Sequence, residues 1–285
     1  MDEGKYLILT SGVNLNLEST LLSGQAHRWK IKDYWYEGVI AQNLIHIRDS
    51  DLGIEFYSAP VSEGEFADRL SDYLGLGDNL DLIYQSISKD VQISSAIKKY
   101  TGMRILRQDP WECLIAFICS ANSSLIRISS AMETLSENFG QRITLKNKAR
   151  YTFPSAHVLA EAGEARLRQL KLGFRAKYVS KVAEIVSEGK IDLMELKHLP
   201  YDEAKEKLLN LPGVGDKIAD CVLLFSLDKP NAFPIDRWVK RALEDWYSIK
   251  LFNYSKIREW ALEYFGEFAG YAQQYLFHQR RLQQL

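Results

Sequence analysis

The chain has 285 residues, enough for two domains, and its hydrophobic content of 46% and charged content of 26% are those of an ordinary globular protein. Its net charge of -1 argues against a protein that coats nucleic acid by bulk attraction, but not against one that contacts a few phosphates. No apolar run reaches the roughly 18 residues of a membrane span, and the N-terminal residues do not resemble a signal peptide. We therefore expect an intracellular protein, neither secreted nor membrane-bound.

Residues up to about Tyr57 are predicted to form strands and turns. Aromatic and β-branched residues alternate or cluster at 29–36 and 44–48, and the pairs at 32–33 and 42–43 suit turns. The composition of this segment therefore favours a β-sheet at the N-terminal end of the chain.

From residue 63 onward, apolar residues follow the helical period. Those that define it are Phe66, Leu70, Leu74, Ile83, Ile87 and Val91. The stretch 101–109 is predicted to be a connector, and Asp109-Pro110 a helix start, because proline suits the first helical turn.

Beyond this connector nearly everything is predicted to be helical. The predicted helices cover 111–119, 125–139, 165–188, a hairpin pair at about 203–226, 237–247 and 254–277. A β-containing part followed by helices makes the chain an α+β protein. We expect an N-terminal antiparallel β-sheet domain at 1–100 and a helical region at 101–285.

The helical pair at 203–226 has the pattern of a helix-hairpin-helix. A charged helix ends in a turn that contains Gly213 and Gly215, and a second helix begins with Lys217 in its first turn. The exposed N–H groups of such a turn and the helix N-terminus suit one DNA phosphate. A lysine at the mouth of this site is a candidate nucleophile. The combination indicates an enzyme that acts on DNA.

Asp236 is the second candidate catalytic residue and lies nineteen positions after Lys217. It precedes a predicted helix, so its simplest role is the N-cap, worth on the order of 1 kcal/mol. The two roles are compatible, because a capped carboxylate is held still. Lys217 and Cys221 are four residues apart and therefore share one helix face.

Cysteine and histidine usage limits the cofactors that we expect. The three cysteines lie on apolar stretches, which indicates a reducing compartment, and they are too few for a four-cysteine iron–sulfur cluster. The five histidines lack metal-ligand spacing, which argues against a metal-dependent nuclease.

These motifs resemble the catalytic core of the helix-hairpin-helix DNA glycosylases, and within that superfamily they are most similar to the 8-oxoguanine DNA glycosylase/lyases. The core of the match is 211–221 with 228–230 and 234–236. Further matches lie at 23–29, 109–114, 117–122, 172–178 and 271–277. Because the matches run in order along the chain, the resemblance covers nearly all of it. It implies a DNA cleft between the helical parts.

The resemblance implies roles for the two catalytic candidates. Lys217 would attack C1′ of the damaged nucleotide, displace the base, and form a Schiff base that allows β-elimination of the 3′ phosphate. Asp236 would stabilise the positive charge that develops on the sugar. Relatives often hold Na⁺ or K⁺ with hairpin carbonyls, here those of Leu209, Leu211 and Val214. No other cofactor is implied, and Gly213 and Gly215 would contact phosphate through backbone N–H groups.

The resemblance also assigns a pocket for the flipped base to Gly24, Cys221, Gln273 and Phe277. The Gly24 carbonyl would accept the N7–H that 8-oxoguanine has and guanine lacks. Cys221 and Phe277 would sandwich the ring, and Gln273 would pair with its Watson–Crick edge. Each residue also has an ordinary interpretation, since Phe277 and Cys221 suit a core and Gly24 suits a turn.

The opposite strand would be handled by Asn122, Arg127, Phe174 and Arg175. Asn122 would enter the space that the flipped base leaves, and Phe174 would wedge beside the orphaned base. Two arginines offer only donors, which suit an unpaired cytosine opposite the lesion. Without the resemblance, the arginines are surface charges and Asn122 a helix cap. The chain departs from the family at Trp238, where histidine is common.

The sequence thus predicts a monomeric, bifunctional 8-oxoguanine DNA glycosylase and abasic-site lyase that acts on double-stranded DNA. One alternative is a glycosylase for another damaged base, although Lys217 argues against enzymes that lack the lyase step. Another is a non-catalytic helix-hairpin-helix DNA-binding protein, which would have no use for Asp236. The compartment would be the cytoplasm or nucleoid in a prokaryote and the nucleus in a eukaryote.

Overall fold

The computed structural model describes residues 6–9, 13–51, 53–250 and 253–283. The N-terminal part holds a five-stranded antiparallel sheet in the order β1-β5-β4-β3-β2. Its strands are β1 Tyr6–Leu9, β2 Lys30–Lys32, β3 Trp35–Ile40, β4 Asn43–Ser50 and β5 Gly53–Ala59. The helix α1 (Leu17–Leu21) lies between β1 and β2 in sequence. The predicted α+β class, with an antiparallel N-terminal sheet followed by helices, is confirmed.

Tight turns connect β2 to β3 and β3 to β4. Asp33 and Tyr34 have φ values of 52° and 64°, and Ala41 and Gln42 have 45° and 67°. Positive φ at both central residues matches the twist of antiparallel strands. The turns lie within one residue of the pairs that the sequence predicts.

Helices make up most of the rest of the chain. They are α2 Glu63–Tyr73, α3 Leu80–Ile87, α4 Val91–Lys99, α5 Pro110–Cys119, α6 Leu125–Phe139, α7 Ala156–Gln169, α8 Arg175–Ser187, α9 Tyr201–Leu209, α10 Asp216–Ser226, α11 Arg237–Tyr247, α12 Tyr254–Phe265 and α13 Ala269–Leu282. None of the helices in the described ranges is long and apolar enough to cross a membrane.

Three details differ from the sequence-based expectations. Val91 is 75% exposed, because Asp90 caps a new helix there and ends the pattern of the preceding one. The predicted helix 165–188 is two helices, broken by a loop in which Lys171 and Gly173 have φ values of 65° and 62°. The predicted helix 254–277 is also interrupted, by a 3₁₀ turn at Gly266–Phe268.

A hairpin of two strands, β6 (Arg142–Leu145) and β7 (Lys148–Tyr151), interrupts the helical part and was not predicted. Lys146 closes its turn with a φ of 54°. The hairpin packs against the sheet, where its Leu145 joins a small cluster with Val39. These contacts join residues that are about a hundred positions apart, so no local sequence pattern could predict the hairpin.

Two large hydrophobic clusters organise the molecule. One lies between the sheet, α1 and α2, and the other holds α3 to α13 together. Side chains of α3 and α4, such as Ile87 and Ile93, belong to the helical cluster although they precede residue 100. The expected domain boundary at residue 100 remains a prediction.

A cluster of charged side chains joins the sheet to the helices. Arg28 contacts Glu133 at 3.0 Å and Glu112 at 3.4 Å. Arg150, on the unexpected hairpin, contacts Glu133 at 2.6 Å and Glu37 at 3.0 Å. Both arginines are buried, so breaking one of these pairs would leave an uncompensated charge. The cluster fixes the N-terminal segment that carries residue 24 against the helices.

Candidate active site

Of the two glycines in the hairpin between α9 and α10, only Gly213 has the left-handed conformation that makes glycine necessary. Gly213 has a φ of 80°, and a Cβ there would lie 2.5 Å from the Tyr178 ring. Gly215 has a φ of -107° and therefore needs no left-handed conformation, and a Cβ there would meet no heavy atom of the described residues within 4 Å. It is the N-cap of α10, where its N–H and those of the first turn face the same end of the helix.

One cavity of about 1090 Å³ brings together residues from both ends of the chain. The predicted residues that line it are Gly24, Asn122, Arg127, Gly215, Lys217, Cys221, Asp236, Gln273 and Phe277. Phe174, Arg175 and Gly213 are not among its lining residues, and neither are the predicted cation ligands Leu209, Leu211 and Val214. The nucleophile candidate, its carboxylate partner and the four base-pocket candidates therefore share one space.

Lys217 lies in the first turn of α10. Its Nζ donates a hydrogen bond to Ser120 Oγ at 3.2 Å and lies 4.8 Å from the centre of the Phe117 ring. Ser120 Oγ in turn donates to the Phe117 carbonyl at 2.7 Å. The lysine is thus directed by one hydroxyl and one aromatic face, a contact that attracts a cation.

Asp236 is the N-cap of α11, as predicted. Its Oδ1 accepts hydrogen bonds from the N–H groups of Trp238 at 2.8 Å and Val239 at 2.9 Å. Burial raises the pKa of this carboxyl, while the Val239 N–H and the charge of Lys217 act in the opposite direction. The two backbone bonds fix the orientation of the carboxylate at the cavity wall.

The base-pocket candidates offer apolar faces and a few polar edges. Burial raises the pKa of the Cys221 thiol to about 12, so the sulfur is uncharged at neutral pH. Gly24 has a φ of 88°, and a Cβ there would lie 3.5 Å from Phe277 Cε1 and 3.2 Å from Leu125 Cδ1. Gln273 is 3% exposed, and its Oε1 has no hydrogen-bond partner within the described residues. A buried amide oxygen without a partner suits a ligand that supplies a donor.

His27 also lines the cavity, and the sequence did not single it out. Its ring meets Phe117 edge-on at 5.6 Å. Burial, and after it the charge of Lys217, lower the pKa of this imidazole to about 3. The side chain is therefore neutral near Lys217 at any physiological pH. Only its place in the 23–29 motif could have indicated it.

The loop before α6 carries Asn122 at a φ of 49°. Ser124, not Asn122, caps α6, so the helix-cap interpretation of Asn122 is wrong. Both Asn122 and Arg127 are exposed at the cavity rim. The asparagine is thus available to a ligand on this side of the cavity.

Arg175 contacts this loop from outside the cavity. Its Nη2 donates a hydrogen bond to the carbonyl of Asn122 at 2.9 Å. Its Nε donates a second one to the carbonyl of Ala121, also at 2.9 Å. It also lies 4.6 Å from the ring of Phe174, which is 49% exposed. Three of its five N–H groups are engaged, since Nη2 also donates to Ala121.

Trp238, the departure from the family pattern, lines the cavity next to Asp236. The guanidinium groups of Arg237 and Arg241 lie 4.8 Å and 5.3 Å from its ring centre. A flat ring with two cations therefore replaces the expected imidazole at this edge of the site.

Comparison with known proteins agrees with this geometry. Residues 7–114 match the model of the 8-oxoguanine DNA glycosylase N-terminal domain, and residues 115–266 match that of the HhH-GPD superfamily of base excision DNA repair proteins. The chain therefore belongs to the helix-hairpin-helix superfamily of base excision DNA repair proteins and, within it, to the N-glycosylase/DNA lyase family.

Individual relatives cover most of the chain. A probable N-glycosylase/DNA lyase of Methanothermobacter thermautotrophicus is 34% identical over 70% of this chain and 70% of its own. The N-glycosylase/DNA lyase of Saccharomyces cerevisiae is 32% identical over 92% of this chain and 75% of its own. The Clostridium acetobutylicum 8-oxoguanine glycosylase/lyase, in complex with double-stranded DNA containing cytosine opposite 8-oxoguanine, has a TM-score of 0.90 at 33% identity and covers 96% of this chain and 94% of that one.

Proposed function

We propose that this protein is a bifunctional DNA glycosylase/lyase that excises 8-oxoguanine from double-stranded DNA and then nicks the abasic strand. The observation that carries the proposal is the single cavity that Lys217 and Asp236 share with Gly24, Cys221 and Phe277. The likeness to the clostridial 8-oxoguanine enzyme supports the choice of lesion. A DNA substrate places the enzyme in the compartment that holds the genome.

Chemistry on a base in a duplex requires the base to be flipped out, at a cost of roughly a few kcal/mol. The cavity, of about 1090 Å³, has room for a flipped nucleotide. The uncharged Cys221 sulfur and the Phe277 ring would flank the base. The Gly24 carbonyl would accept the N7–H of 8-oxoguanine, whereas the N7 lone pair of guanine would face the same carbonyl unfavourably. Gln273 would contribute its unpaired oxygen at the opposite edge.

Lys217, as the neutral amine, would attack C1′ of the flipped nucleotide. The N–C1′ bond forms as the glycosidic bond breaks, and the base leaves with the bonding electron pair. Asp236 would stabilise the positive charge on the sugar as the bond opens. Ring opening then gives a Schiff base on Lys217, loss of a C2′ proton follows, and the 3′ phosphate departs. The contact of Nζ with Ser120 Oγ and the Phe117 ring would direct the amine into the cavity.

Arg127 would read the base opposite the lesion. It is exposed at the rim beside Asn122, which would occupy the place of the flipped base. Donors alone suit the O2 and N3 acceptors of cytosine. Arg175 retains only the two N–H groups of Nη1 for this purpose, so we assign the larger part of the preference for cytosine to Arg127.

The hairpin carbonyls of Leu209, Leu211 and Val214 would hold a monovalent cation. Main-chain oxygens are hard ligands that suit Na⁺ or K⁺, and the Leu211 carbonyl already belongs to the turn through a bond from the Val214 N–H at 3.1 Å. The cation would order the turn that contacts phosphate. Weaker DNA binding when Na⁺ and K⁺ are replaced by tetramethylammonium would support this role, and unchanged binding would contradict it.

The proposed function is tested by borohydride trapping on a duplex with one 8-oxoguanine opposite cytosine, beside an undamaged duplex. We expect a covalent complex with the lesion duplex only, and none for Lys217→Gln. Lys207→Gln, which removes an exposed lysine of the same hairpin, is the matched control and should trap like the unsubstituted protein. A Lys217→Gln protein that still cross-links would refute the assignment of the nucleophile.

The same assay separates the alternatives. Trapping with a different damaged base in a panel, but not with 8-oxoguanine, would favour a glycosylase for that base. Binding without a covalent complex on any duplex would favour a DNA-binding protein without catalytic activity.

A further inference from the structure

Asp220 is a fully buried carboxylate on α10, three residues after Lys217. Tyr201 donates its hydroxyl to Oδ1 at 2.5 Å, and Tyr254 donates to Oδ2 at 2.6 Å. Lys205 Nζ lies 3.4 Å from Oδ1 and supplies a countercharge. A carboxylate buried in a helix one turn from the nucleophile would be costly without these partners.

Both tyrosines are donors to this carboxylate and stay protonated. Burial, and after it the adjacent Asp220, raise the pKa of Tyr201 and of Tyr254 far above the usual value of a phenol. The two hydroxyls are therefore fixed in direction, because each has one proton and that proton points to Asp220.

The Tyr254 hydroxyl makes two main-chain contacts that Tyr201 does not, and one of them is with the Phe233 carbonyl at 3.3 Å. In the other, the hydroxyl oxygen accepts a hydrogen bond from the N–H of Ile235 at 3.3 Å. Ile235 directly precedes Asp236, while Asp220 lies on the helix of Lys217. One hydroxyl thus connects the helix of the nucleophile to the segment that carries the carboxylate partner, and the Tyr254 side chain itself lines the cavity.

We infer that Tyr254 is a positioning residue that sets the distance between Lys217 and Asp236 through this bridge from Asp220 to Ile235. The inference rests on the proposed glycosylase function. The reaction needs the attacking amine and the stabilising carboxylate on the same sugar, and displacements near 1 Å can cost about 100-fold in rate. A purely structural role would instead require only that Asp220 be hydrogen-bonded.

The experiment is single-turnover excision of 8-oxoguanine opposite cytosine by Tyr254→Phe, which keeps the ring and removes the hydroxyl. We expect base release to slow by about 10- to 100-fold, while the affinity for lesion DNA stays within about twofold, because no group that would contact DNA is lost. Asp220→Asn, which weakens the same bridge from the other side, should give the same separation of rate from affinity.

Two comparisons decide between positioning and simple support of Asp220. Tyr201→Phe removes the other hydroxyl on Asp220 without touching Ile235, so it should slow excision much less than Tyr254→Phe. In an Asp236→Asn background, Tyr254→Phe should have little further effect, because the group that it positions is already disabled. Equal losses in Tyr201→Phe and Tyr254→Phe, or full additivity with Asp236→Asn, would overturn the inference.

A matched control lies on the same helix. Tyr264 donates its hydroxyl to Asp90 Oδ2 at 3.1 Å, away from the cavity, and Tyr264→Phe should excise at the unsubstituted rate. If the unsubstituted protein excises no 8-oxoguanine, the proposed function fails. If it does and Tyr254→Phe matches it, only the positioning role fails.

Discussion

The guanidinium of Arg175 donates a hydrogen bond to the main-chain carbonyl of Asn122 at 2.9 Å, and so holds the loop that would enter the DNA. Asn122 occupies a left-handed conformation, with a φ of 49°. The sequence suggested Arg175 as a reader of the opposite base. In the structure it instead supports Asn122, the residue that would fill the gap in the DNA helix. Arg127 is exposed, and its side chain is therefore available to contact the opposite base.

This division predicts different effects for the two arginines. Arg127→Ala should reduce discrimination between cytosine and other bases opposite the lesion by about 10-fold, since a good contact to a base is worth about 1–3 kcal/mol. Arg175→Ala should weaken excision for every opposite base, because it releases the loop. Excision rates on duplexes with each of the four opposite bases provide the measurement. Unchanged discrimination in Arg127→Ala would remove Arg127 as the reader.

Asp236→Asn should slow base release by at least 10-fold without unfolding α11. Asparagine is as good an N-cap as aspartate, so the free energy of unfolding should change by less than about 1 kcal/mol. The lost negative charge would no longer stabilise the sugar cation. Single-turnover excision and urea unfolding measure the two effects separately. Asp236→Ala, which removes both the charge and the cap, should be slow and less stable, whereas rapid excision by the Asn variant would contradict the catalytic role.

Gly213→Ala should destabilise the hairpin by about 1–3 kcal/mol. Its φ of 80° disfavours any side chain, and a Cβ would lie 2.5 Å from the Tyr178 ring. Gly215→Ala meets open space at a φ of -107° and should cost less. Urea unfolding of both variants tests the difference, and equal free energies of unfolding in the two variants would contradict the larger cost assigned to Gly213.

Glu112 gives a pH dependence that can be assigned to one group. Burial raises the pKa of this carboxyl to about 7, although the charge of Arg28 lowers it. The folded protein therefore holds a proton that the unfolded chain releases near pH 4.5, so this contribution to stability is present at low pH and is lost as the pH rises to about 7. Its size is on the order of 3 kcal/mol.

We expect Glu112→Gln to lack this decrease in the free energy of unfolding, because the glutamine amide does not titrate. The free energy of unfolding of the unsubstituted protein, minus that of the variant, should fall between pH 4.5 and pH 7. Glu137→Gln, which replaces an exposed carboxylate of α6, is the control and should leave the pH dependence as it was. A constant difference across this range for Glu112→Gln would contradict the raised pKa.

The sequence was sufficient for the features whose causes are local. The hairpin turns of the sheet, the Pro110 start of α5 and the cap by Asp236 each depend on a few adjacent residues. The interrupted helix around Gly173 and the hairpin closed by Lys146 were missed, because the first depends on one loop conformation and the second on packing against the sheet.

The residues of the candidate site also fall into those that a local motif indicates and those that only the folded chain reveals. The order of the motifs indicated which residues belong near Lys217, and eight of those candidates line the cavity together with it. His27 and Tyr254 line the same cavity but are separated from Lys217 by long stretches of chain, and neither has a spacing that marks it. Their burial and their contacts depend on the folded chain, so no local pattern could indicate them.

The cavity draws its walls from Gly24 near one end of the chain and from Phe277 near the other. During synthesis, which proceeds from the N-terminus, Lys217 and Asp236 are added to the chain before Gln273 and Phe277. A nascent chain would therefore contain the proposed nucleophile before it contains two of the proposed base-pocket residues. The cavity that would combine reaction with selection is thus complete only when α13 has been made.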